Sequence, residues 1–511
     1  MSLVLASIFC LGVLVACGAK DTDAGNGTDG GTNDVANSDT EADVLDGVKY
    51  NGEVLKVLAW DPSNLEEYVS EFKAGSHVVE QKTYERMVKT KNQLNIGVEW
   101  IEEPGNGPNM TSFIQKAVNG MLSSDGYDAI CCYSSAAADL ASSGYASNLL
   151  NFETMDFTQE WYPQHLVNDC TMNDKLFFCT GDISTNLVNM TSVVFFNHSL
   201  VEEYKINETI QKTYGENDLY DLVRKGKWTH DAMLTLAKTV SKDTDNQGSG
   251  IATAGDTVGI STYNTLLCNF YYGMGYKTVE ITDSGVKLSE DYMDSGKMVE
   301  LIEYWGKPLH ASEYGFFCDG FNEAAKMFYE GRSLFSLAPA SHAYVHHAPK
   351  GMEFGALPVP VGSNGDPDNP EYYSIHSRPY SMYLIPNSSA KTEISASFIH
   401  CLGKISYTTT RPAIINTTMK GRYASVNADD AEMWDYIIDS QVFDIGRIYE
   451  TIFNRQIGTD GDGNPIYRAN TDLFQVRLGT NDTNWSSIIE KYKGELEKQC
   501  QDINDMMATL Q

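Results

Sequence analysis

The chain has 511 residues, 42% of them hydrophobic and 11% aromatic, more apolar material than one core accommodates. Its 69 carboxylates against 37 Lys and Arg leave a net charge of −32, which argues against nucleic acid and anionic membrane as partners, since both select basic surfaces. None of the ten cysteines forms a CxxC or other zinc spacing, so structural zinc is not expected.

The chain opens with an apolar run from Leu3 to Leu14 that ends in Leu14-Val15-Ala16-Cys17. A run this short is a secretory signal rather than a membrane span, because about 20 apolar residues are needed to cross a bilayer. A Cys directly after small residues resembles a bacterial lipobox, which implies that Cys17 becomes the acylated N-terminus of a protein tethered to the extracellular face of the cell membrane. No Lys or Arg precedes the run, so the charged n-region is missing or the start lies upstream. Residues 1–17 are read as signal peptide and 18–49 as an acidic, disordered linker. Residues 18–48 carry eight carboxylates against Lys20 alone, with Val35, Val44, Leu45 and Val48 as the larger aliphatics. Such a stretch buries too little apolar area to offset its ordering entropy.

The globular part opens with a short apolar strand, Val54 to Trp60, stopped by Asp61-Pro62. An amphipathic helix is predicted over Val78 to Leu94, a strand over Ile96 to Ile101, a helix over Met110 to Leu122 and a strand over Tyr127 to Cys132. Strands alternating with helices of this length indicate βαβ units and a parallel sheet. In such sheets ligands bind beyond the carboxyl ends of the strands, where Trp60-Asp61 and Tyr133-Ser134 stand. Cys170 and Cys179 flank a turn at Asn173-Asp174, which leaves a hairpin disulfide and buried free thiols both open. Thr229 after Gly226-Lys227-Trp228 is a helix cap, and Trp228 reads as the anchor of that helix. Gly331 ends a helix holding Ala324, Ala325 and Phe328, before a buried strand from Ser333 to Leu337.

The run Gly126-Tyr127-Asp128-Ala129-Ile130, then Gly144-Tyr145-Ala146-Ser147-Asn148-Leu149, then Gly181-Asp182-Ile183-Ser184, resembles the extracellular solute-binding proteins of bacterial ABC importers (family 1, carbohydrate type). So do Val193 to Asn197, Gly226 to Thr229, Tyr329 to Phe335 and Phe354 to Pro360, in that order, over roughly residues 54–405. The resemblance implies an α/β, two-lobe, periplasmic-binding-protein-like fold of type II, each lobe discontinuous in sequence, with a hinge and an interlobe cleft. Lobe I takes residues 50–190 and 340–405, and lobe II takes 191–339 and 406–511, with crossings near Val193 and Ala338 and a final exchange near Thr410. It further implies a monomer that captures a carbohydrate, in particular an oligosaccharide, and delivers it to permease subunits, with no cofactor required.

A sugar offers a C–H face to aromatic rings and a belt of hydroxyls to planar polar groups, and the 29 tyrosines suit such a cleft. By family position, Trp60, Asp61, Tyr133, Ser134 and Asp182 line the first lobe. Tyr271 and Tyr272 face them from the second, and Tyr373, Arg378 and Tyr380 lie on a segment returning to the cleft. Core packing is the alternative for each ring, and a structural ion pair for Arg378.

Asp243, Asp245, Gln247 and Gly248 match the first half of a calcium loop, but its twelfth position is Ala254, and only Asp256 could substitute. A plain surface turn is the preferred reading, with structural calcium as the alternative; a similar loop occurs in some relatives. The same holds more strongly for Asp460 to Asn464. His346-His347 reads as a solvated loop. No GxSxG, HExxH, P-loop or strand-to-helix GxGxxG is present, which favours a non-enzyme. A secreted carbohydrate-active enzyme and a binding protein for a peptide or other small solute are the alternatives.

Overall fold

The computed structural model describes residues 43–60, 67, 68, 77–123, 126–377, 380–423, 428–449, 456–459, 465–467 and 471–510. The signal segment with Cys17, most of the linker, Asp61, Arg378 and the Asp460 to Asn464 loop lie outside the described residues. Along the chain the described strands are β1 (Val54–Trp60), β2 (Gly97–Glu103), β3 (Ala129–Tyr133), β4 (Ser192–Asn197), β5 (Ser241–Lys242), β6 (Thr257–Tyr263), β7 (Val279–Thr282), β8 (Gly285–Leu288), β9 (Gly315–Cys318), β10 (Ser333–Pro339), β11 (Phe354–Leu357), β12 (Ser374–Ile375), β13 (Ser381–Leu384), β14 (Gln441–Val442), β15 (Gln456–Thr459) and β16 (Pro465–Tyr467).

The first sheet has the order β13-β3-β1-β2. Its three N-terminal strands are parallel, while β13 returns antiparallel to β3 with Ser381 opposite Tyr133. Helix α1 (Val78–Leu94) begins at a reciprocal cap, where the His77 ring accepts from Val79 N–H and Glu80 accepts from His77 N–H. It stops at Asn95 in the left-handed conformation. Val79, Thr83, Met87, Thr90 and Leu94 form its buried stripe. Helix α2 (Met110–Met121) buries Phe113, Ala117 and Met121 at four-residue spacing. Helix α3 (Ser134–Ser142) starts directly where β3 ends.

The second sheet has the order β11-β4-β10-β6-β5, with β9 also pairing with β6. Strands β6, β9 and β10 are parallel, and β4 runs antiparallel to β10. β4, β6 and β10 are buried along their whole length, as expected of strands covered on both faces. The helix Phe321–Tyr329 ends before Gly331, whose φ of +76° makes the return into β10. Trp228 is buried and donates to the Pro358 carbonyl at 2.8 Å, and Thr229 caps the next helix by accepting from Ala232 N–H at 3.1 Å.

Three expectations need correction. The segment Phe354–Leu357, assigned to lobe I by the boundary at 340, pairs with β4 in the second sheet. After β10 the chain turns back into the second lobe, and the crossing to the first sheet comes later, where Ser377 N–H donates to Met190 O at 2.7 Å. The linker does not reach residue 49: Leu45 is buried in the core with Val44 and Val48 against it, so these aliphatics dock and the chain is ordered from there. His347 is not solvated. It packs among Phe195, Phe328 and Phe354 with ring centroids 4.6–5.5 Å apart, and burial holds it neutral.

Cys170 and Cys179 are both free and buried. The C-terminal helix Trp485–Thr509 lies along β8, where Asn504 bonds both backbone groups of Val286 at 2.7 and 3.0 Å. Its far end receives Lys175 of the first lobe at the Met507 carbonyl, 2.9 Å away. Among the described residues no helix is long and apolar enough to cross a membrane.

Candidate functional site

Trp60 ends β1 and Tyr133 ends β3, so parallel pairing brings the two rings to the same edge of the first sheet. They meet edge to face at 5.6 Å, with 82° between planes. Trp60 is fully buried and its Nε1 donates to Ser381 Oγ at 2.7 Å, which makes it the support for Tyr133 rather than a platform of its own. Ser134 follows as the buried first residue of α3. Tyr380 precedes Ser381 and packs against His376 and Phe443 at 5.1 and 6.2 Å. Trp60, Tyr133, Ser134 and Tyr380 are therefore gathered at one end of one sheet.

The matching edge of the second sheet lies beyond Tyr263, Cys318 and Pro339, the last residues of β6, β9 and β10. Here Phe321 stands 48% exposed, an unusual state for so large a ring. Tyr263, His342 and His346 surround it, with centroids 6.5, 6.4 and 6.2 Å away. Burial, and then the neighbouring His346, holds His342 down to about 3, so its ring stays neutral at physiological pH. Pro339 pairs with Ser192, where the chain enters β4, and Ser341 N–H donates to Asn189 O at 2.9 Å. On the first sheet, Ser381 likewise begins β13 just past the crossing. The carboxyl edges of both sheets thus lie on the side where the chain passes between lobes, the place the strand-end rule selects for a ligand.

The sequence reading names none of Phe321, Tyr263 and His342. The strand-end rule applied to the second sheet would have found them, after the segments ending at Tyr263, Cys318 and Pro339. Tyr271 and Tyr272 are the residues the sequence reading places on this lobe's side of the cleft, and the structure packs them inside. Both are buried. The Tyr271 hydroxyl donates to Lys277 O at 2.7 Å, and its ring packs on Tyr272, Tyr276, Tyr292 and Phe474. They are core residues of the second lobe because the short helix Asn269–Tyr272 turns inward after β6.

Two other expected residues line cavities. Tyr373 lines a cavity of the second lobe, its hydroxyl donating to Glu371 at 2.9 Å. Asp182 lines a 310 Å³ cavity with Trp161, Glu160 and Arg411, whose guanidinium is 3.2 Å away. Burial pushes the Asp182 carboxyl up to about 6, against the pull of Arg411. Its loop is held by buried Glu67, which accepts from Ser184 Oγ at 2.7 Å and Thr185 N–H at 2.9 Å. Arg86 donates to Ile183 O at 2.7 Å from the other side.

The Asp243 loop does bring three carboxylates together. Those of Asp243, Asp245 and Asp256 lie within 4.8 Å of one another, the first two exposed and the third buried. Gln247 lines the same 270 Å³ hollow. Much of the carboxylates' capacity is already used internally: Gly248 N–H donates to Asp243 at 2.9 Å, Gln247 N–H to Asp245 at 3.1 Å, and Thr244 and Thr253 N–H to Asp256 at 2.9 Å each.

No protein-family model matches the chain, and no curated protein matches it in sequence. Solved structures do match. The GacH receptor of Streptomyces glaucescens, described unliganded and with acarbose, aligns at a TM-score of 0.52 and 14% identity over 90% of this chain and 100% of that one. The cyclic α-maltosyl-1,6-maltose binding protein of Arthrobacter globiformis gives 0.53 and 11% over 88% and 100%. An ABC substrate-binding protein of Listeria monocytogenes in complex with cycloalternan gives 0.52 and 11% over 88% and 99%. At these identities the likeness is one of fold: the chain has the two-lobe α/β fold of these binding proteins.

Proposed function

We propose that the chain is the extracellular substrate-binding component of an ABC transporter, capturing a carbohydrate between its lobes and delivering it to the membrane permease without chemical change. The observation that carries this reading is the pair of aromatic strand-end edges on the crossing side of the two sheets, Phe321 half-exposed on one and Tyr133, all but buried against Trp60, on the other. Aromatic rings suit the C–H faces of a sugar, and an oligosaccharide uses more than one ring. The sugar complexes named for the fold neighbours support the same class of cargo. A ligand touching both edges favours the closed form by its differential affinity for it. Within the same proposal, Cys17 carries the lipid anchor, the protein works as a monomer with no cofactor required, and the loop of Asp243, Asp245, Gln247 and Asp256 is a surface turn, with structural calcium as its alternative.

A thermal-shift screen of the full chain against mono- and oligosaccharides, with amino acids and peptides as controls, tests it. A ligand specific to the folded state adds RT ln(1 + [L]/Kd), about 2.7 kcal/mol at a hundredfold excess over Kd. A shift with one sugar class, the sugar recovered intact, is the expected result. A shift with peptides only moves the protein to another cargo class, and cleavage of the sugar sinks the reading.

A further inference from the structure

The second lobe holds two adjoining cavities of about 730 and 300 Å³, which share Met274, Tyr276 and Gly362 as a common wall. Each falls in the range of roughly 300–1,000 Å³ usual for small-molecule sites. Neither includes a residue of the two strand-end edges.

Three glycines let the chain approach closely around the hollow. A Cβ on Gly273 would stand 2.4 Å from Pro360 O, and one on Gly362 would stand 2.5 Å from Met274 Sδ. Gly275 takes φ +77°, and its Cβ position is 3.5 Å from the ring of Tyr373. The facing loop is tied back where Gly365 N–H donates to Gly226 O at 2.8 Å. The two loops thus hold the space open between them.

Three tyrosines are posed along it. Tyr373 is oriented by its bond to Glu371 at 2.9 Å. Tyr276, on the shared wall, rests on buried Tyr271 at 5.6 Å. Tyr304, 37% exposed, is propped on buried Trp305 at 5.8 Å. Trp305 Nε1 donates to the Nδ1 of buried His230 at 3.3 Å, and that ring lines the smaller cavity.

Polar groups complete the walls. The larger cavity carries Asn364, Asn369, Asp366 and Glu371, and the smaller carries Asp231, Glu300 and Lys297. Lys297 is already paired with Asp291 at 2.6 Å. This excess of carboxylate repels phosphates, nucleotides and acidic peptides. Rings for C–H faces beside carboxylates and amides for hydroxyls match an uncharged polyhydroxyl ligand.

We propose that these joined cavities are a second carbohydrate site, on the second lobe and separate from the interlobe edges, which binds a short neutral saccharide on Tyr276 and Tyr373. Retention of such sugar near the protein, ahead of capture between the lobes, is what a second site of this kind supplies.

The test is calorimetric titration of the full chain with glucose, maltotriose and cellotriose to millimolar concentration, in the wild type and three variants. Tyr276→Ala and Asn369→Ala alter the cavities, and Phe321→Ala alters the second-sheet edge; unchanged circular dichroism and melting establish that each is folded. Asn369 is exposed, so its variant keeps the test alive if Tyr276→Ala unfolds. The expected result is a sugar-binding event weakened roughly tenfold by Tyr276→Ala or Asn369→Ala and unmoved by Phe321→Ala. An event lost with Phe321→Ala alone, or no event that the cavity variants change, overturns the second site. Failure of the transport reading has a different signature, the lack of any sugar event sensitive to Phe321→Ala.

Discussion

Trp60 Nε1 donates to Ser381 Oγ at 2.7 Å, joining the end of β1 to the start of β13 across 321 residues of sequence. Ser381 is the first residue of the first sheet after the chain returns from the second lobe, so this bond pins the crossing segment to the strand-end edge. Ser381→Ala leaves the indole N–H buried without a partner, at a cost of about 1–3 kcal/mol. Trp60→Phe with Ser381→Ala removes both polar groups and recovers part of that loss. Denaturant melts of the two variants decide the point, and equal destabilisation by Ser381→Ala and the double variant would refute it.

Phe321 separates binding from stability. At 48% exposure its ring contributes little to the core, so Phe321→Ala changes unfolding free energy by within about 0.5–1 kcal/mol. The same change weakens cleft-bound sugar by roughly tenfold or more. Melting and titration on one preparation read both; a large loss of stability with affinity intact would make Phe321 structural.

The carboxyl of Asp182 titrates near 6 in the folded protein, against 3.8 for the free group. A raised carboxyl binds its proton more tightly in the folded state. Its contribution is therefore full below pH 4 and is lost as pH rises through 6. Relative to Asp182→Asn, the wild type loses up to roughly 3 kcal/mol between pH 4 and 7. Urea midpoints for both proteins across that range measure it, and a constant difference between them would contradict the assignment.

Gly181 adopts φ +137°, and a Cβ there would lie 2.1 Å from Trp161 O. Gly181→Ala combines a forbidden backbone conformation with a clash against main chain, so a loss of more than about 1–3 kcal/mol is expected. Because Asp182 N–H donates to that same carbonyl at 3.1 Å, the Asp182 titration should shift in the variant as well. A melting temperature within error of wild type would show that the loop relaxes freely.

Calcium at the Asp243 loop has a direct assay. If calcium binds there, it raises the melting temperature of the wild type and leaves that of the Asp243→Asn, Asp245→Asn double variant unchanged, both residues being exposed. Indistinguishable melts in calcium and in chelator would leave the loop as a turn closed by its own hydrogen bonds.

What the sequence determined by itself is local. The reciprocal cap at His77 and Glu80, the spacing of Phe113, Ala117 and Met121, and the glycine at 331 specify their helices and turns through neighbours a few residues away. The alternation of these elements, with motifs in a known order, was enough to read two α/β lobes. Which rings are left exposed near the strand ends was not local. Tyr271 and Phe321 are both large aromatics near strand ends, yet one is sealed by Tyr292 and Phe474 and the other is left open. That choice follows from the order of β4, β10, β6 and β9 in the sheet and from the helix packed beside each, contacts between residues far apart in the chain. The same applies to Phe354–Leu357, whose place in the second sheet rests on pairing with β4 more than 150 residues earlier. Burial and pairing are decided by partners, and only the tertiary structure supplies them.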